Sequence, residues 1–296
     1  MNALVTARVR PAGARELVAL TKPRITALNL VAAAAGFGLA PEGAATAWTF
    51  AATMLGMVLV VGAANGLNCY LERDLDGLMA RTRNRPLPAG RLSAGVALAF
   101  SLGLAAVGVP LLSLAVEPLA GLLATSALVA YVLVYTPLKR RSSAALLVGA
   151  VPGAAPPLIG WVAATGQVEA AGLALFALLF LWQVPHFLSI ALYRQDDYAR
   201  AGLKTLPAEL GEPATRRRLV VYQVGTVAAS LLLVPLARAG TAYAAAAVAL
   251  GLASLAHAAS GLRAGSGPKW ARSFFLGTNL YLALLMGALM ADRFLR

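Results

Sequence analysis

The sequence predicts an all-α integral membrane protein, a bundle of nine transmembrane helices around a central cavity that opens near the cytoplasmic face. Hydrophobic residues make up 59% of the chain and charged residues 12%, whereas soluble domains carry about 25% charged residues. Nine apolar stretches are each about 20 residues long, enough to cross a hydrocarbon core of about 30 Å. Many contain Ala, Gly and Pro, which favour close packing with local kinks. The stretches centre near Ala33, Val58, Ala105, Ala127, Ala154, Leu179, Ala229, Val248 and Leu284.

We expect a single domain across residues 1–296, because no long soluble segment interrupts the apolar stretches. Residues 1–23 are expected to form a cytoplasmic N-terminal segment. They carry arginines but neither the apolar core nor the cleavage site of a signal peptide. Spans one to four and five to eight each carry an acidic loop after their second span, a pattern that suggests an internal duplication.

Basic residues set the expected orientation, because Lys and Arg are retained on the cytoplasmic side of a membrane. They concentrate before span one and after spans two, four, six and eight, whereas the opposite loops hold mainly glutamates. We therefore expect a cytoplasmic N-terminus and a short tail, residues 292–296, on the opposite side. The net charge of +13 fits retention of anionic lipid head groups and does not imply a nucleic acid partner.

Three oxygen-bearing side chains, Asn68, Glu72 and Asp76, are spaced four residues apart at the end of span two. On a helix this spacing places them on one stripe. Oxygen ligands of this kind suit Mg²⁺, especially Mg²⁺ that is shared with phosphate. Asp74 points away from the stripe on a regular helix, but could bind metal if the helix loosens before Gly77.

A second polar cluster, Asp196, Asp197 and Tyr198, follows span six, with arginines beside it. If both clusters face one cavity, they could hold two Mg²⁺ ions and neutralise a lipid diphosphate. Four nearby cations are candidate contacts for the diphosphate oxygens: Arg81, Arg85, Lys139 and Arg140. Tyr135 could donate a hydrogen bond to the bridging oxygen, and Tyr198 is a further candidate for contact with the substrate. The alternative is that each charged loop is an ordinary solvated surface that sets topology, and we interpret Lys22 in that way.

Several motifs carry a family resemblance that extends along almost the whole chain. They are Leu20-Thr21-Lys22-Pro23-Arg24, Asn68-Cys69-Tyr70-Leu71-Glu72-Arg73-Asp74-Leu75-Asp76, Asn84-Arg85-Pro86-Leu87, Tyr135-Thr136 with Leu138-Lys139-Arg140, Pro156-Pro157-Leu158-Ile159-Gly160-Trp161, Trp182-Gln183-Val184-Pro185-His186-Phe187, Asp197-Tyr198, and Lys269-Trp270-Ala271-Arg272-Ser273-Phe274. Together these segments resemble the UbiA superfamily of prenyltransferases, and within it the branch that acts on haem.

The resemblance implies a nine-helix bundle that uses Mg²⁺ to transfer farnesyl from farnesyl diphosphate to a vinyl group of haem B, with addition of water, giving haem O. It maps the first metal-binding motif to Asn68, Glu72 and Asp76. In the second motif only Asp197 matches; Arg194 and Tyr198 stand where many relatives are acidic. The sequence leaves open whether the product passes directly to a haem A synthase or a terminal oxidase assembly, a transfer that the poor solubility of haem would favour.

His186 lies in span six and is a candidate axial ligand of the haem iron, the alternative being a hydrogen-bonded structural histidine. The four candidate diphosphate contacts could instead bind the haem propionates: Arg81, Arg85, Lys139 and Arg140. Trp161 and Trp182 are candidate lining residues or interface anchors. We interpret His257 as structural and Cys69 as a packing residue.

Two other functions are compatible with the sequence. Related prenyltransferases that modify an aromatic acid or a quinone precursor share the same Mg²⁺ and diphosphate chemistry. A polytopic lipid or haem carrier would also be basic and apolar, but should hold charged residues near the membrane midplane, where this chain has scarcely any.

Overall fold

A computed structural model describes residues 13–41, 43 and 45–294. These residues form helices joined by short loops. The helices are α1 Ala14–Leu20, α2 Pro23–Gly38, α3 Ala47–Leu71, α4 Arg73–Leu78, α5 Ala94–Leu114, α6 Pro118–Val129, a π-helical segment Ala130–Tyr135, α7 Thr136–Leu138, α8 Ala145–Thr165, α9 Ala170–Tyr193, α10 Gln195–Arg200, α11 Leu206–Leu236, α12 Thr241–Ser260 and α13 Pro268–Phe294.

The helices of the described part of the chain confirm the prediction of an integral membrane bundle. Eight are long and apolar enough to cross a membrane, and α1 with α2 forms a pair bent by 52° that counts as a ninth span. All nine predicted centres fall within these helices. The first twelve residues of the expected N-terminal segment lie outside the described residues.

Small residues allow the closest approaches between spans. Gly36 on α2 lies against the backbone of Pro157, and Gly160 on α8 lies against the backbone carbonyl of Ala33. An added methyl group at either glycine would overlap those atoms. Without a strong hydrophobic force between helices in lipid, such close contacts are a main source of association.

The two polar loops have the same local design. After α3, the backbone departs from helical geometry at Glu72 (φ −103°, ψ 7°), and after α9 it does so at Arg194 (φ −119°, ψ 23°). The six-residue helices α4 and α10 follow directly. An apolar cluster of Leu75, Met79, Ala201 and Leu203 joins the two loops. Both loops therefore lie together at one end of the bundle, which we call the charged end.

The prediction that a C-terminal tail begins at residue 292 is wrong. Asp292 and Arg293 continue helix α13. The buried Asp292 carboxylate accepts hydrogen bonds from the backbone N–H groups of Gly240 (2.6 Å) and Tyr243 (3.3 Å), at the start of α12. Arg293 donates to the carbonyl of Ala40 at 3.0 Å. These tertiary contacts hold the last turn of α13 in place.

Candidate active site

One large cavity, with a volume of about 1210 Å³, runs from the charged end into the bundle. Five cations and two carboxylates line it, all from the loops and helix ends of the charged end: Lys22, Arg81, Arg85, Lys139, Lys204, Glu72 and Asp76. Deeper in the bundle the lining becomes mainly apolar and aromatic. Along α3 it extends from Asn68 to Met57, a depth of about 16 Å at about 1.5 Å per residue.

The predicted stripe of Asn68, Glu72 and Asp76 lines the charged end of this cavity. The helix is interrupted at Glu72, but the backbone N–H of Asp76 still donates to the carbonyl of Glu72 at 2.7 Å. The helical register therefore continues across the break. The three residues are only 2%, 4% and 1% exposed, respectively, and buried carboxylates need charged or hydrogen-bonding partners.

Each of these three residues contacts a cation. Lys22 Nζ donates to Asn68 Oδ1 at 2.8 Å, and Arg85 donates to the Asp76 carboxylate at 2.7 Å. Lys139 forms an ion pair with Glu72. Asn68 Nδ2 in turn donates to Glu72 Oε2 at 2.9 Å, which fixes the amide with its oxygen toward Lys22.

This donor set fits a Mg²⁺ ion that is shared with a substrate phosphate. Mg²⁺ sites of that kind use one or two carboxylates and leave other positions to water and phosphate oxygens. Glu72 and Asp76 supply two carboxylates, and Asn68 supplies an amide oxygen. No group of three or more His, Cys, Asp or Glu side chains among the described residues is arranged to hold a metal.

The expected second metal cluster is not assembled. Asp196 is exposed and does not line the cavity. Asp197 is paired with Arg194, at 3.2 Å, and with Arg200, because each arginine lies three residues from Asp197, about one helical turn away. The side chain of Asp74 is 83% exposed beside Arg73, since α4 keeps a regular helical turn. We therefore leave Asp74, Asp196 and Asp197 out of the proposed metal site.

Tyr198 and Arg81 close the charged end from opposite loops. The Arg81 guanidinium lies over the Tyr198 ring, 5.4 Å from its centroid, a cation–π contact between the two loops. Burial raises the pKa of the Tyr198 hydroxyl, and the charge of Arg81 opposes that rise. Both residues line the cavity, and their contact with a substrate stays a prediction.

Tyr135 also lines the cavity, at the end of a π-helical segment that the sequence did not indicate. In Ala130–Tyr135 the helix is underwound, and π-helical turns often occur at functional sites. Tyr131 and Tyr135 both face the cavity there, with ring centroids 5.3 Å apart. The Thr136 hydroxyl donates a hydrogen bond to the backbone carbonyl of Tyr131 at 2.8 Å and accepts one from the Asn68 amide at 3.2 Å. The segment is thereby joined to the proposed metal site.

Among the predicted phosphate contacts, Arg140 is misplaced and Lys22 was misinterpreted. Arg140 is exposed and lies outside the cavity lining, because the adjacent Lys139 takes the inward-facing position. Lys22 lies at the break between α1 and α2 with a left-handed backbone (φ 49°), uncommon for a residue other than glycine. It contacts Asn68 and does more than set topology. Lys204, in the loop before α11, also lines the cavity and was missed.

His186 and Trp182 line the inner part of the cavity, with ring centroids 4.6 Å apart. Trp161 is buried elsewhere and donates to Glu169 at 3.0 Å, so it packs the bundle instead of lining the cavity. His257 lies outside the cavity lining, against Phe274. Cys69 is buried in a small apolar cluster.

Comparisons of the sequence and of the fold with known proteins both identify relatives of this chain. The model of the UbiA prenyltransferase family matches residues 29–284. A protein named protoheme IX farnesyltransferase, from Anaeromyxobacter dehalogenans, is 53% identical over 281 residues, which cover 94% of each chain.

Two solved structures share the fold. A digeranylgeranylglyceryl phosphate synthase has a TM-score of 0.81 at 16% identity and covers 94% of this chain and 97% of its own. A UbiA homolog from Archaeoglobus fulgidus, bound to GPP and Mg²⁺, has a TM-score of 0.66 at 16% identity, covering 93% and 99%. The match to most of the chain, the high identity and the shared bundle confirm the family resemblance of the motifs: the chain belongs to the UbiA prenyltransferase family.

Proposed function

We propose that this protein transfers a farnesyl group from farnesyl diphosphate to a vinyl group of haem B, with addition of water, giving haem O and diphosphate. The observation that carries the proposal is the cavity, which combines a basic end fit for a diphosphate with an apolar interior that contains a histidine. The 53% identical relative named protoheme IX farnesyltransferase supports this acceptor.

At the charged end, the residues are suited to bind a leaving diphosphate. Asn68, Glu72 and Asp76 would hold Mg²⁺, and the ion, when bound, supplies positive charge that stabilises the departing diphosphate. Arg85 and Lys139 now pair with the two carboxylates. With the carboxylates holding a metal, these two cations would be free to form charge-assisted hydrogen bonds with phosphate oxygens. Arg81 and Tyr198 would close this end.

The apolar interior is suited to the farnesyl chain and to the porphyrin. The C1–O bond of farnesyl diphosphate breaks, and the vinyl group of haem B forms a new bond to C1. Water oxygen then bonds to the resulting cation and loses a proton. The aromatic lining, with Tyr131, Tyr135 and Trp182, excludes other water and stabilises positive charge.

The proposed reaction also implies a membrane location and partners for this protein. We expect the charged end to face the cytoplasm in a bacterial-type cytoplasmic membrane, with the N-terminus on that side and the C-terminus on the other. Haem B and farnesyl diphosphate are the substrates, and a haem A synthase or a terminal oxidase assembly is the expected recipient of the product.

The test is to incubate the purified protein with haem B, farnesyl diphosphate and Mg²⁺, with and without a chelator, and to identify the extracted haems by mass spectrometry. A farnesylated and hydrated haem that disappears with the chelator is the expected product. Farnesyl transfer to an aromatic acid or quinone precursor, with haem unmodified, would overturn the proposed acceptor. Haem binding without any transfer in folded protein would favour a carrier.

A further inference from the structure

Thr278, on α13, connects two of the aromatic residues that line the inner cavity. Its hydroxyl oxygen lies 2.9 Å from His186 Nδ1, and its backbone carbonyl accepts a hydrogen bond from Trp182 Nε1 at 2.8 Å. Thr278 is 1% exposed and His186 is 8% exposed. The bonds are therefore shielded from competing water.

The hydrogen bonds of Thr278 determine which nitrogen of His186 carries the proton. The Thr278 hydroxyl also lies 2.8 Å from the carbonyl oxygen of Phe275, and a carbonyl can only accept. A hydroxyl has one proton to donate. Both contacts of the hydroxyl can be hydrogen bonds together only if its proton goes to Phe275 and its oxygen accepts from His186, an arrangement in which Nδ1 carries the hydrogen.

Nε2 of the neutral ring then carries the free lone pair. It lies on the side of the ring away from Thr278, and His186 lines the cavity. The ring is also held in place by its neighbours, since Trp182 stacks on it at 4.6 Å and Phe275 packs at 4.8 Å between centroids. A fixed ring with an open nitrogen is the form that binds a metal.

We infer that Thr278 is a positioning residue of the haem subsite, which holds His186 as the tautomer whose Nε2 coordinates the iron of the substrate haem. This inference rests on the proposed function. Metal-binding histidines usually donate their other N–H to a partner that fixes the ring. A threonine hydroxyl makes the imidazole less basic than a carboxylate would, which suits a haem that must leave after reaction.

The test is an absorption titration of the purified protein with haem B, with farnesyl diphosphate and Mg²⁺ left out. The Thr278→Val variant keeps the side-chain shape but loses the acceptor. We expect haem affinity to fall about tenfold or more, as for loss of other groups that orient metal ligands, with a changed Soret band. Thr278→Ser should restore both. Binding of farnesyl diphosphate with Mg²⁺ should be unchanged in each variant, which controls for folding.

Two results would overturn the inference while leaving the proposed function intact. One is a Thr278→Val variant with normal haem affinity and spectrum. The other, independent of any variant, is a wild-type haem complex whose electron paramagnetic resonance spectrum lacks an axial nitrogen ligand, even though the protein makes haem O. Wild-type protein that neither binds nor modifies haem, but still transfers farnesyl to another acceptor, would instead reject the proposed function.

Discussion

Asp74 and Asp76 are two residues apart on α4 and have opposite surroundings. Asp76 is buried in the cavity wall and bonded to Arg85, whereas the Asp74 side chain is 83% exposed. A helix turns by about 200° over two residues, which accounts for the difference. The pair therefore offers a matched comparison for the proposed metal site.

Asp76→Ala should lower the rate of farnesyl transfer about 100-fold or more. The substitution removes a carboxylate that is proposed to hold Mg²⁺, whose charge stabilises the leaving diphosphate. Asp74→Ala should leave transfer within about twofold of the wild type. Both rates are measured by product formation over a range of Mg²⁺ concentrations, with membrane-inserted protein quantified in parallel. Retained turnover in folded Asp76→Ala protein would remove the metal role from this residue.

Lys139 and Arg140 make a second matched pair, since one lines the cavity and its neighbour does not. Lys139→Met should weaken farnesyl diphosphate binding about tenfold or more, because a charged hydrogen bond contributes about 1.5–3 kcal/mol. Arg140→Met should bind normally. Equilibrium binding of a non-hydrolysable diphosphate analogue measures both, and equal losses in the two variants would contradict the assignment.

At the scale of helices, the site depends on breaks in otherwise regular spans. Glu72 and Arg194 interrupt the backbone at corresponding places after spans two and six, as expected if the two halves share an ancestor. The carboxylate positions differ, however. The first break presents Glu72 to the cavity, whereas the second presents Arg194 to the carboxylate of Asp197. The shared break therefore places carboxylates in the cavity wall in the first half and an arginine–aspartate pair outside the cavity lining in the second.

Close packing of α2 against α8 is the basis of a stability prediction. Gly160→Ala should lower the unfolding free energy by about 2 kcal/mol or more, because the added methyl group meets the backbone of Ala33, which cannot move independently. Gly103→Ala, in α5, is the control, since nothing lies within 4 Å of the added group. Thermal unfolding in detergent compares the two variants. Equal stability would show that the α2–α8 contact relaxes.

At the scale of the whole molecule, charge is arranged across the membrane. The cavity's five cations and two carboxylates lie at one end, and the cation excess is suited to anionic substrates. The same end carries most of the basic loops of the sequence. The binding of anionic substrates and the orientation of the chain in the membrane are therefore expected to depend on the same face of the bundle.

The proposed orientation predicts the behaviour of reporter fusions. Green fluorescent protein at the N-terminus should fluoresce, since that end is expected in the cytoplasm. Alkaline phosphatase at the C-terminus should be active, because nine crossings place that end on the opposite side. Each reporter is fused to each terminus in turn, and cells expressing each fusion are assayed for the signal of its reporter. An inactive C-terminal phosphatase together with a fluorescent C-terminal fusion would mean an even number of crossings.

The sequence by itself determined the membrane bundle, its nine spans and the stripe of Asn68, Glu72 and Asp76. These follow from properties that neighbouring residues share, namely apolar length and helical spacing, which tertiary contacts seldom override. The family resemblance was also available in the motifs.

Only the tertiary structure decided which charged residues share the cavity. It excluded Asp74, Asp196 and Arg140, paired Asp197 with arginines, and brought in Lys22. It also placed Thr278 beside His186, 92 residues away along the chain. The physical reason is that pairing and burial depend on which distant segments pack together, and a single sequence records the side chains of those segments but not their contacts.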